Sequence, residues 1–152
     1  MQKKLHSFIV YCFYENYMIE SLEIQKIIIN SIKDIEYIKK NNVGVFTSVP
    51  SKAKMPYIKI ASILMNNSQQ NANIKNFTFD LFVVADGKNN SQIFEIMECL
   101  FSEIEEKINQ YIDKESLDIE ILNIFNIKYN IDENFQNNFW SGHFYVDIDV
   151  LS

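Results

Sequence analysis

From Glu20 to Lys39 the apolar residues Ile24, Ile28, Ile32, Ile35 and Ile38 recur at helical spacing, while Glu23, Lys26, Asn30, Lys33 and Glu36 fill the other side. This pattern predicts an amphipathic helix. Isoleucine is a mediocre helix former, so the apolar stripe has to be held by packing, which implies that it lies on a sheet. Asn41 and Asn42 end the helix, and Gly44 falls in the connection. A short strand is predicted near Val45 and Phe46 and a second from Tyr57 to about Leu64, with Pro50 and Pro56 at the loop edges between them. The polar, uncharged run from Asn66 to Asn73 reads as a solvated loop.

From Asn76 to Ala85 the residues Phe77, Phe79, Leu81, Val83 and Ala85 alternate with Asn76, Thr78 and Asp80. Phe82 and Val84 break the alternation by making the far end apolar on both faces, so that end is expected to be covered twice. A second helix is predicted from Ser91 to Ile112, with Ile93, Met97, Leu100, Ile104, Ile108 and Tyr111 on one stripe. In the next strand Ile119, Ile121, Phe125, Ile127, Tyr129 and Ile131 share one parity. After a loop from Asp132 to Asn138, Phe144, Val146, Ile148 and Val150 alternate with His143, Tyr145, Asp147 and Asp149 in a closing hairpin partner. The order helix, strands, helix, strands predicts an α+β fold: an antiparallel sheet of four to five strands with two helices packed on one face. No internal repeat or interdomain linker interrupts it, so residues 1–152 read as a single domain.

Composition changes this picture little. Hydrophobic residues make up 47% of the 152, with three Gly and two Pro, which is the profile of a folded chain. The formal charge of −6, with no lysine cluster along any predicted face, argues against nucleic acid as a ligand. Lys3 and Lys4 followed by the apolar run Phe8 to Tyr14 imitate a signal peptide. The run is short, Glu15 interrupts it and no small-residue cleavage site follows, so neither export nor a membrane span is expected and a cytoplasmic protein is the default. Cys12 and Cys99 lack metal-type spacing and read as buried free thiols suited to a reducing compartment.

Candidate chemistry is sparse. Asp86-Gly87-Lys88, between strand and helix, has the placement of a phosphate cradle. It has one glycine, no P-loop frame and a carboxylate that would repel phosphate, so it reads as a corner, with Asn89, Asn90 or Ser91 capping the helix. Ser141, His143 and Asp147 offer the residue types of a hydrolytic triad, but all three lie in one strand and His143 reads as a surface histidine. Glu103 and Lys107, four residues apart, read as an ordinary helix-surface pair. No catalytic, cofactor-binding or metal-ligating set emerges, and none is expected. What remains is apolar and aromatic surface beyond the needs of one inner face: Tyr57, Phe82, Val84, Trp140 and Tyr145. Such residues either mark a protein interface or are covered by the domain's own loops.

From about Leu22 onward the order of elements, together with the segments VFTSVPSKAKMPYIKIAS, NFTFDLFVVADG and WSGHFYVDIDV, resembles the tail terminator, or tail completion, proteins of long-tailed phages and related gene transfer agents. The resemblance implies a small α+β subunit of a ring, typically a hexamer, that caps the tail tube and joins it to the head connector. The implied partners are other copies of the chain, the tail-tube protein and the head-tail connector protein, with no cofactor, no sequence-specific nucleic acid contact and no membrane. Such a protein is cytoplasmic during assembly and then part of the particle. The implied interface is heterologous. Its candidates are the loop residues Ser68, Gln69, Gln70 and Asn71, Phe135 in the second loop, and the aromatic strand positions above. Residues 1–17 precede the resembling part and are either an added segment or lie ahead of a true start at Met18. Two other readings stand beside this one: a head-closure or neck component of the same machine, and a small ligand-binding or enzymatic α+β domain marked by a deep pocket.

Overall fold

A computed structural model of the chain describes residues 21–67, 73–88, 90–134 and 138–151. The leading amphipathic stripe forms two helices, α1 (21–33) and α2 (Glu36–Lys40). The break is at Ile35, whose backbone is extended at φ −66° and ψ 127°. Asp34 donates its N–H to both Asn30 and Ser31 carbonyls as α1 runs out. The single predicted helix is thus cut, but the stripe survives. Ile32, Ile35 and Ile38 are all at 2% exposure or less, because three-residue steps across the break keep each isoleucine pointing inward. Asn42, at φ 52°, then ends α2 in the left-handed region that asparagine tolerates, as its sequence position predicts.

Five strands follow: β1 (Gly44–Phe46), β2 (Tyr57–Asn67), β3 (Ile74–Asp86), β4 (Glu120–Asn134) and β5 (Phe139–Leu151), with α3 (Asn90–Glu115) between β3 and β4. They form one sheet in the order β1-β2-β3-β5-β4. Three of the pairings are antiparallel. The short β1 departs from the predicted antiparallel pattern by joining β2 in parallel, so the sheet is mixed. The ten-residue connection from Thr47 to Pro56 returns the chain to the same end of the sheet, which a tight hairpin cannot do.

All three described helices lie on one face. Ile24, Ile27, Ile28 and Ile32 of α1 and Ile93, Ile96, Met97, Leu100, Ile104 and Ile108 of α3 close over Ile58, Phe77, Phe79, Leu81, Val83, Phe144, Val146 and Ile148 of the strands. Every one of these is at 1% exposure or less. The burial supplies the hydrophobic stabilisation that isoleucine-rich helices lack on their own. α1 and α2 run antiparallel to α3. Asn30 donates to the Tyr111 hydroxyl (3.2 Å), Lys107 reaches Asp34 (3.5 Å) and Tyr37 donates to Glu95 (2.6 Å), so contacts descend one helix as they climb the other.

Two glycines set how closely these elements approach. A Cβ on Gly142, on the helix-side face of β5, would stand 2.3 Å from the Asn130 carbonyl oxygen and 2.7 Å from Met97 Cε on α3. At the corner after β3, a Cβ on Gly87 would meet the Asn138 carbonyl oxygen at 2.4 Å, and the Gly87 N–H donates to that same oxygen at 3.1 Å. The corner expected from the sequence is confirmed, but Gly87 is required for close approach to the β4–β5 turn and not for an unusual φ. Asp86 Oδ1 accepts the Lys88 N–H at 2.9 Å and so spends its carboxylate on the turn.

Candidate functional site

The face of the sheet that carries no described helix presents the even-numbered residues of β3. Asn76, Thr78, Asp80, Phe82 and Val84 line up beside Asp149, Asp147, Tyr145, His143 and Ser141 of β5. On the other flank of β3, β2 adds Tyr57 and Lys59 opposite Val84 and Phe82. The two halves of this face differ. Toward the β3–α3 corner it is aromatic: His143 lies with its ring centroid 5.1 Å from Phe82 and 5.9 Å from Tyr145, stacked on the latter at 15°. Lys128 of β4 caps that file with its Nζ 5.7 Å from the Tyr145 centroid, within cation–π range. Phe46 of β1 meets Tyr57 edge to face at 6.4 Å.

Toward the opposite end the face is a hydrogen-bonded set of carboxylates. Asn76 donates to Asp149 (3.0 Å), Asn126 donates to Asp147 (2.9 Å), and the Thr78 hydroxyl donates to Asp147. Between the halves, His143 Nδ1 lies 2.6 Å from Asp80 Oδ1, with both side chains partly buried. The carboxylate partner of His143 is therefore Asp80 from β3, and not Asp147 of its own strand. Among the described residues no hydroxyl bonds the ring, so Ser141, two residues along the strand, completes no triad. A half-open depression of about 390 Å³, lined by Thr78, Asn126, Lys128, Tyr145 and Asp147 among others, crosses this face. No group of three or more His, Cys, Asp or Glu among the described residues is placed to hold a metal ion, and no described helix is long and apolar enough to cross a membrane.

The structure sorts the predicted interface residues. Tyr57, Phe82, Val84 and Tyr145 share the helix-free face, brought together by a cross-strand register that the sequence pattern does not encode. Val84 is 5% exposed and offers little surface, whereas the other three are half-buried. Trp140 is on the opposite face, where it packs edge to face on Phe94 of α3 at 5.9 Å. Ser68, Gln69, Gln70, Asn71 and Phe135 lie outside the described residues. Asn66 and Asp132, read as loop residues, belong to β2 and β4.

Sequence reasoning missed two features. β4 carries irregularities between Ile121 and Asn123 and between Phe125 and Lys128, the second with Asn126 at φ 53°. The first turns Ile124 inward and Phe125 out to the helix-free face, against the single parity read from the sequence, and the second restores Ile127, Tyr129 and Ile131 to the helix side. Asn126 was the available signal, since asparagine tolerates the left-handed region. Along the α3 flank, Phe101 packs edge to face on Tyr129 at 5.9 Å, and the Tyr129 hydroxyl donates to Glu98 at 3.2 Å. Burial and Glu98 raise the Tyr129 pKa above the ordinary tyrosine value. Cys99, half-buried on α3, donates its thiol to the Ile96 carbonyl of the same helix; burial first, then Glu103, pushes its pKa up to about 12, so it is a packing thiol and not a reactive one.

These elements define an α+β protein built on a five-stranded mixed sheet, with helices on one face and a polar and aromatic surface on the other. No family profile matches the sequence, and no curated protein does. Among solved structures the chain is similar to a chain of the virion of a native gene transfer agent (GTA) particle, with a TM-score of 0.50 and 8% identity. The match covers 78% of this chain and 87% of that one. At that identity the likeness is one of fold.

Proposed function

We propose that this chain is a structural protein of a phage-like particle: the ring-forming tail terminator, or tail completion protein, that caps the tail tube and joins it to the head connector. The observation that carries the reading is the fold likeness to a GTA virion chain, which spans most of both molecules and so concerns the whole subunit and not a shared supersecondary unit. The sequence segments that resemble tail terminators fall on β1, β2, β3 and β5, four of the five strands of the sheet. In this reading the chain acts as one domain, with residues 1–17 as an added segment, and its partners are other copies of itself, the tail-tube protein and the head connector. Its work is recognition and closure, with no catalytic step. Tyr57, Phe82 and Tyr145 form a surface suited to that work, because partly covered aromatics gain most when a partner completes their burial.

The decisive experiment is electron microscopy of particles produced without this gene. Overlong tails are expected for a terminator. Tail-less heads would assign the chain to head closure instead, and unchanged particles would overturn both roles.

A further inference from the structure

We propose that copies of this chain join head to tail through the two flanks of the sheet, β4 of one copy pairing antiparallel with Ala61–Asn67 of β2 in the next. The inference rests on the ring reading above and adds which surfaces meet and why. β1 is three residues long and pairs only with Tyr57, Ile58 and Lys59. Among the described residues, Ala61–Asn67 therefore has no strand on its outer side, and β4, at the other end of the order, has none along its length. Such edges present rows of backbone donors and acceptors that template another strand.

Strand direction favours this union. β2 and β5 run one way, β3 and β4 the other. A second copy set beside β4 in the same orientation brings its β2 in antiparallel and keeps every helix on one side of a continuous sheet. Charge then decides against a two-fold pairing of like edges. Residues 44–67 hold Lys52, Lys54 and Lys59 and no carboxylate, a formal charge of +3, whereas residues 118–134 hold Asp118, Glu120, Asp132 and Glu133 against Lys128, a formal charge of −3. Like flanks repel and unlike flanks attract, so each copy offers one edge of each sign and the contact propagates heterologously.

The register follows from the second irregularity of β4. Beyond it Lys128–Asn134 is a regular run, long enough to set Lys128–Glu133 against Asn66–Ala61 of the free stretch. Lys128, Asn130 and Asp132 share the helix-free face of β4, as Ser62, Leu64 and Asn66 share that of β2. The antiparallel register that matches these faces sets Leu64 opposite Asn130 and Ser62 opposite Asp132, with Ile63 opposite Ile131 on the helix side. It directs Asp132 toward the lysine-bearing end of β2, and it covers Leu64, which is 57% exposed in the single chain.

The test is sedimentation velocity of the full chain at low salt, with two charge-reversed variants: Lys52→Glu with Lys54→Glu and Lys59→Glu, and Asp118→Lys with Glu120→Lys and Asp132→Lys. The wild type should form oligomers that weaken as salt rises. Each variant alone should be a monomer, with circular dichroism like the wild type, and an equimolar mixture should regain oligomers in which the two alternate. If a triple variant misfolds, the single changes Lys54→Glu and Asp132→Lys make the same comparison. Oxidation of Leu64→Cys combined with Asn130→Cys should give covalent multimers that neither single variant gives. Wild-type-like oligomers from both charge variants would overturn the edge pairing while leaving a ring in place. A wild-type monomer at high concentration, alone and with the tail-tube subunit, would overturn the pairing and the ring reading together.

Discussion

The two faces of β3 are made by alternate residues of one strand, yet they have opposite character. Phe77, Phe79, Leu81, Val83 and Ala85 are sealed under the helices at 1% exposure or less. Asn76, Thr78, Asp80 and Phe82 stay half-open on the other side, bonded to neighbours across the sheet and not to a second layer among the described residues. The fold is secured mainly by the helix-side face, and apart from Val84 the second face holds polar and aromatic groups that stay partly open. A period-two pattern lets one segment serve both faces.

The largest effect should come from crossing that divide with one residue type. Phe79→Ala removes a ring at 0% exposure from between sheet and helices, and should cost roughly 3–5 kcal/mol of unfolding free energy. Phe82→Ala, three residues on and on the half-open face, should cost about 1 kcal/mol. Urea titrations of the two variants measure the difference, and equal losses would mean that the helix-free face is a second core. In a smaller step, Gly142→Ala forces a methyl group against the Asn130 carbonyl and Met97, and should cost about 1–3 kcal/mol as α3 is pushed off the sheet. Here a neutral result would show that the helix layer shifts freely over β5.

Smaller again is Asp80→Asn. The contact with His143 is partly solvated, so its loss should change stability by no more than about 1 kcal/mol. Docking of a partner on the helix-free face should respond more than stability does, since the pair orients His143 between Phe82 and Tyr145. A large stability loss with unchanged docking would reverse the roles assigned to the two faces.

Most of the fold was legible in the sequence because it rests on periodicity. The helix-side residues of β3 and β5 and the α3 stripe were visible as patterns of 2 or 3.6, and the Gly87 corner as turn chemistry between them. What was not legible depends on contacts distant along the chain. The pairing of His143 with Asp80 is a matter of register between strands 63 residues apart, and no local pattern encodes it. Trp140 looked like surplus aromatic surface because its cover, Phe94, sits in a helix that the strand's own pattern cannot see. The irregularities of β4 shift which residue faces inward at Ile124 and Phe125, and a strict alternation misassigns Phe125. The parallel placement of β1 follows from the path of its connection to β2, which a loop sequence with two prolines leaves open.

The last and smallest effect separates the helix layer from the rest by pH. Tyr37 of α2 donates to Glu95 of α3 at 2.6 Å, and burial, followed by Glu95, raises its pKa from 10.0 to about 12. Cys99 is raised from 9.0 to about 12, chiefly by burial. Both groups hold their protons more tightly when folded than when unfolded. Their contribution is therefore complete below the unfolded values and is lost as pH climbs toward 12. Stability should decline between about pH 9 and 12, and Tyr37→Phe, which has no proton to lose there, should show a shallower decline than the parent. The comparison is made by denaturant titration at pH 8, 10 and 11.5, with Cys99→Ala measured alongside to separate the thiol from the phenol. Parallel curves for Tyr37→Phe and the parent would mean that the Tyr37–Glu95 contact does not hold α2 against α3 in solution.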